Sequence, residues 1–129
     1  MATTSLTNNV DISGNYGEDA IPVTFSSNTV TTTIVQGLTV QKSADKSYWV
    51  NGPLTYSIVI TNNSGGKLAG GELQDTINTA LVTFSQTYGV TIDDTTTQDF
   101  TYESGVLKVT LPEIADTESK TIKFQVTLN

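Results

Sequence analysis

Apolar and polar residues alternate with a period of two along most of this chain. Leu54, Tyr56, Ile58 and Ile60 fall on one face, with Thr55, Ser57 and Thr61 on the other. Ile122, Phe124, Val126 and Leu128 alternate with Thr121, Lys123, Gln125 and Thr127. Leu107, Val109 and Leu111 alternate with Lys108 and Thr110, and Leu38 and Val40 with Thr39 and Gln41. A period of two puts successive side chains on opposite faces of a strand, so each run predicts a half-buried strand. Shorter candidates are Leu73 to Ile77, Leu81 to Ser85, Tyr88 to Ile92 and Phe100 to Glu103.

Turn residues separate the runs. Asn51-Gly52-Pro53 precedes Leu54, Asn62-Asn63-Ser64-Gly65-Gly66 ends that run, and Ser104-Gly105 predicts a tight hairpin. No helical period of useful length occurs. The pattern predicts an all-β fold, an Ig-like or jelly-roll-type antiparallel β-sandwich, and by periodicity alone the N-terminal segment is simply its first strands. Residues 1–20 are polar and weakly patterned. Ile21, Val23 and Phe25 then alternate with Pro22 and Thr24, and Val30, Thr32 and Ile34 share a face. Pro22 cannot donate to a ladder, which places its strand at an edge or at a strand start.

Residues 37–128 resemble the conserved-repeat Ig-like sandwich domains, of undefined function, found in bacterial and archaeal surface proteins. Gly37 to Asp45, Leu54 to Asn62, Leu73 to Ile77 and Leu111 to Thr127 carry the resemblance. Pro53 stands where the family usually has Asp, and Asn78 where it usually has Pro. In tandem arrays of the family, a run like Phe124 to Leu128 is followed by a further strand and a Ser-Asn-x-Val-x-Thr link. The stretch from Asn8 to Thr33, with Ser27-Asn28-Thr29-Val30-Thr31-Thr32, is similar to that closing element, but it precedes the domain. The resemblance therefore implies instead an N-terminal strand extension over residues 1–36 and a sandwich over residues 37–129. The closing strand, at about residues 20–35, either folds back in cis or completes a second copy in trans. For the trans case, the expected donor side chains are Ile21, Val23, Phe25, Val30, Thr32 and Ile34. The expected acceptor groove is Leu38, Val40, Ile122, Phe124, Val126 and Leu128. A head-to-tail contact of that kind propagates into a filament. The expected role is a subunit of an extracellular fibre on a cell or spore surface, a homopolymer whose further partners are other surface proteins or glycans. The alternative is a monomeric adhesin module with its strand packed in cis.

Composition narrows the chemistry. The chain has 129 residues, is 36% hydrophobic and carries a net charge of −7. Its 6 Lys and Arg are scattered, which argues against nucleic acid and anionic membrane as partners. Cys and His both number 0. That removes disulfides, thiolate nucleophiles, Ser/His relays and the usual zinc sites, and predicts neither an enzyme nor a cofactor. Met1 to Leu6 lacks the basic and apolar runs of a secretion signal, and no segment predicts a membrane span. Asp93-Asp94 with Asp99 is the strongest acidic cluster, and a solvated loop accounts for it better than calcium. Glu72 with Asp75 is a weaker cluster of the same kind. Lys42 could form an isopeptide bond with Asn8, Asn9 or Asn28, against the plainer reading of a solvated edge lysine. Tyr48, Trp49 and Tyr56 are candidates for an aromatic binding patch, against ordinary core packing.

Overall fold

The period-two runs all become strands, and no helix occurs among the described residues. A computed structural model describes residues 3–129, excluding the side chains of Thr3, Thr4, Ile34 and Val35. The strands are β1 (Thr3–Asn8), β2 (Asp11–Tyr16), β3 (Ile21–Ser26), β4 (Val30–Val35), β5 (Leu38–Ala44), β6 (Pro53–Asn62) and β7 (Glu72–Thr76). They continue with β8 (Val82–Phe84), β9 (Val90–Ile92), β10 (Thr95–Thr97), β11 (Phe100–Glu103), β12 (Val106–Thr110) and β13 (Ser119–Leu128).

Strands β5 to β13 form a β-sandwich. One sheet runs β10-β9-β13-β6-β5, with β8 also paired to β13, and the facing sheet is β11-β12-β7. All pairings are antiparallel, which lets short turns join neighbouring strands. The inward residues of the alternating runs make the core. Leu54, Ile58 and Ile60 from β6, Ile122, Phe124 and Val126 from β13, and Leu107 and Val109 from β12 are all buried. Phe84 ties the sheets together, with its ring 6.1 Å from Phe100, 4.7 Å from Tyr102 and 6.1 Å from Phe124. Two-residue hairpin turns form at Asp93-Asp94, with φ of 50° and 64°, and at Ser104-Gly105, with φ of 50° and 80°. Positive φ at both central residues matches the right-handed twist of the flanking strands.

Asn62, at the end of β6, is fully buried. Its amide nitrogen donates to the carbonyls of Gly66 (2.8 Å) and Ile114 (2.9 Å), and its oxygen accepts from Ser64 N–H (3.0 Å). The side chain thus holds the loop after β6 against the strap before β13. Its burial also leaves no free amide for the Asn62-Asn63-Ser64 glycosylation pattern. Asn62→Ala strands those buried partners, so we expect a loss of about 3 kcal/mol in unfolding free energy, read from urea denaturation.

Thr3–Asn8 and Asp11–Tyr16 are ordered into strands, contrary to the weak pattern of this stretch. β1 pairs with β4, and β2 with β3, so the extension is one long two-stranded ribbon closed by the turn Gly17 to Ala20. The registers differ by one: Asn8 faces Val30, whereas Asp11 faces Ser26. One extra residue on the return strand therefore forms a bulge at Ser27–Thr29. Ser27 N–H donates to Val10 O (2.8 Å), and its hydroxyl accepts from Val10 N–H (2.9 Å). The bulge puts odd-numbered Phe25 and even-numbered Val30 on the same face.

Candidate functional site

Over its tip half the ribbon has one face of apolar residues and Gly14, and an opposite face of polar residues and Pro22. Ile12 lies opposite Phe25, Gly14 opposite Val23 and Tyr16 opposite Ile21, so these side chains share a face. The other face carries Asp11, Ser13, Asn15, Pro22, Thr24 and Ser26. Towards the base, Leu6, Val10, Val30 and Thr32 line one concavity, which continues the apolar face past the bulge. An amphipathic sheet normally buries its apolar side, yet here Leu6, Val10, Ile12, Tyr16, Ile21, Phe25 and Val30 are all exposed, Phe25 at 67%. The ladders of β1–β4 are internal to the ribbon, and none of its residues joins the sandwich core. Of the expected donor residues, Ile21, Val23, Phe25, Val30 and Thr32 lie on the apolar face. Ile34 pairs with Thr4 through its backbone, and its side chain is outside the described residues.

The chain enters the sandwich through a tight passage at Gly37. Gly37 has φ of 88°, and a Cβ there would sit 2.5 Å from the Asn63 carbonyl oxygen. Only glycine allows the chain to pass this close, and Asn63 N–H donates to Gly37 O (2.8 Å).

The sandwich has the complementary defect. Among the described residues, β7 pairs with β12 on one side only, which leaves its other edge free. In β5, Leu38, Val40 and Lys42 face the same way as their β6 partners Asn62, Ile60 and Ile58, towards the interior. No strand of the facing sheet covers them. Leu38 is 39% exposed and Val40 69% exposed, although both point inward. Lys42 bridges the opening, with Nζ 2.6 Å from Asp75 Oδ2 of β7 and 4.4 Å from the centre of the Tyr56 ring. Beside this ion pair lies a groove of about 430 Å³ walled by Trp49, Leu54, Tyr56, Ile77, Leu81, Val82, Phe124 and Leu128. Trp49 donates its indole N–H to Gly52 O (3.1 Å), which holds the ring on the groove wall.

The expected acceptor residues divide. Leu38 and Val40 flank the open edge, and Phe124 and Leu128 line the groove. Ile122, Phe124 and Val126 are all wholly buried in the core, Phe124 backing the groove from within. β13 is paired on both sides, to β6 and to β9 and β8, so it has no edge to offer an incoming strand. The free edge belongs to β7, which ladder order alone reveals.

Two of the acidic candidates, Asp93 and Asp94, are engaged within the chain. Asp93 accepts from Thr121 N–H (2.9 Å) and pairs with Lys120 (3.3 Å), while Asp94 pairs with Lys123 (2.9 Å). The Asp94 carboxylate raises the Lys123 ammonium above its usual range. Among the described residues, no group of three or more acidic side chains converges as a metal site. Lys42 faces Asp75, and Asn8, Asn9 and Asn28 lie out on the ribbon. Asp45 is held below the usual carboxylate range, first by Thr55 N–H and then by Lys46.

Comparison with protein-family models, with curated proteins and with solved structures gives no match. The molecule is therefore characterised by its own geometry: a β-sandwich with an open edge, joined to an exposed amphipathic ribbon.

Proposed function

We propose that this protein is a structural subunit of an extracellular fibre, polymerising head-to-tail as each subunit lodges its N-terminal ribbon in the sandwich of the next. The observation that carries the reading is the pairing of two opposite defects. The ribbon shows an apolar face with nothing on it, and the sandwich shows inward-pointing apolar residues with nothing over them. An isolated two-stranded ribbon is marginal in water and gains most by joining a larger sheet. Joining also covers an edge that would otherwise recruit strands indiscriminately. Because donor and acceptor are different surfaces, the contact is heterologous and repeats without limit unless it closes into a ring. The Ig-like character of the sandwich and the surface location belong to this proposal, and the role needs no catalytic group.

Negative-stain microscopy of the purified chain tests it, with filaments as the expected result. A variant lacking residues 1–36 should stay monomeric. If the full chain is monomeric at high concentration, and the deletion changes neither fold nor oligomeric state, the polymer reading fails. The groove wall of Trp49 and Tyr56 would then favour a monomeric surface-binding module.

A further inference from the structure

We infer that the ribbon enters as two strands rather than one, with its first strand hydrogen-bonded to the free edge of β7 in a second copy and its return strand forming the new outer edge. This rests on the polymer reading and deepens it by naming the acceptor site.

The strand count points there first. In the seven-strand immunoglobulin arrangement, an A-B-E-D sheet faces a C-F-G sheet. The order β5-β6-β13-β9 follows A-B-E-D, and β7 takes the place of C, the next strand along the chain after B. The positions of F and G, beside β7 and over β6 and β5, are empty. A two-stranded hairpin with one apolar face is what those positions require. Strands lie about 4.8 Å apart, so two of them extend the β7 sheet by about 10 Å, across the uncovered Leu38 and Val40. The tip half carries Ile12, Tyr16, Ile21, Val23 and Phe25 on that face, making it the part that inserts.

Pro22 orients the ribbon. Ser27 donates to Val10, so the hydrogen-bonded pairs of the tip half fall at Ile12, Gly14 and Tyr16. Pro22, opposite Asn15, therefore turns its donor-less nitrogen to the outer edge of the return strand. A proline on that edge would break a ladder to β7, but it protects a terminal edge against further additions. The first strand has no proline and is the one that can pair. β7 is ready for it. Leu111 N–H donates to Gly71 O and Ile77 N–H to Gly105 O, so the N–H groups of Glu72, Gln74 and Thr76 point to the free side.

The area is sufficient. The exposed apolar side chains of the ribbon offer on the order of 500 Å². With ladder backbone and polar flanks, the contact approaches the ~800 Å² per partner of a stable interface.

The chain contains 0 Cys, so disulfide trapping has no background. Full-length Gln74→Cys is mixed with full-length partners carrying one cysteine on the polar face: Ser5→Cys, Thr7→Cys, Ser13→Cys or Asn15→Cys in the first strand, and Thr24→Cys in the return strand. Directly paired residues sit within the ~7 Å Cα limit of a disulfide, whereas a strand one place further lies about 10 Å away. We expect a cross-linked dimer from a tip position, Ser13 or Asn15, and at least tenfold less from Thr24. In parallel, Gln74→Pro, which removes a free-side donor and leaves the β12 ladder intact, abolishes filaments while Gln74→Ala keeps them. Filaments without first-strand cross-links, or cross-links dominated by Thr24, overturn this assignment and leave the polymer reading standing. Absence of filaments in the parent chain overturns both.

Discussion

Phe124→Ala lowers the unfolding free energy of the sandwich by about 3–5 kcal/mol. Phe124 is wholly buried in β13, between β6 and β9. Its ring lies 5.3 Å from Tyr56 and 6.1 Å from Phe84, so it joins the groove wall to the aromatic contact that binds the two sheets. Truncation leaves a cavity that rigid strands on both sides cannot collapse, which adds to the lost transfer energy. A domain of this size holds roughly 5–15 kcal/mol in total, so the variant sits near the edge of folding. The measurement is a denaturant titration of both proteins followed by tryptophan fluorescence, since Trp49 packs against the core and lines the same groove as Phe124. The midpoint should fall steeply with little change in slope. A loss below about 1 kcal/mol would mean that the groove wall is not part of the cooperative core.

The same residue shows what the sequence carried and what it did not. Strict alternation through Leu54 to Ile60, Leu107 to Leu111 and Ile122 to Leu128 made the inward face of each central strand legible. Burial of Ile58, Val109 and Phe124 follows from that pattern. Alternation says which face a residue occupies but not which strand lies beside it. Four of the six residues that the pattern offers for an acceptor groove lie on β13, which is paired on both sides in its sheet. The free edge sits on β7, whose short stretch Glu72–Thr76 has no feature that marks it as unpaired. The ribbon was hidden by two local effects. Asn8 and Gly14 occupy apolar-face positions and dilute the alternation of Leu6, Val10, Ile12 and Tyr16. The extra residue at Ser27–Thr29 then shifts the parity of the return strand, which breaks a single pattern into two short ones. Asn62 was read as turn punctuation because polar residues usually are, and only the tertiary fold brings Ile114 O and Gly66 O to its amide. The open groove was partly visible, through Leu38, Val40, Phe124 and Leu128, because strands that lack a cover still keep the alternation of strands that have one.

Phe25→Asp separates assembly from folding. In the free subunit Phe25 lies on the ribbon at 67% exposure, opposite Ile12, and takes no part in the sandwich core. Its replacement should therefore leave the unfolding midpoint of the sandwich within about 0.5 kcal/mol of the parent. In the proposed assembly the same position faces the interior of a second copy. There the variant forgoes about 1.5–3 kcal/mol of apolar burial. It also places a carboxylate where Lys42 is already engaged by Asp75, and an unpaired buried charge costs several kcal/mol more. We expect the critical concentration for filament formation, measured by sedimentation, to rise at least ~100-fold, since each 1.4 kcal/mol is worth a factor of ten. Phe25→Leu keeps the apolar face and should assemble within about tenfold of the parent. Thr24→Asp, on the polar face, should assemble normally, because that face remains in water on either side of the contact. The discriminating comparison is between neighbours: residues 24 and 25 are adjacent in the chain and both exposed in the subunit, so burial of one face on assembly is what makes their substitutions differ. If Phe25→Asp and Thr24→Asp assemble alike, the apolar face of the ribbon is not the surface that joins the copies.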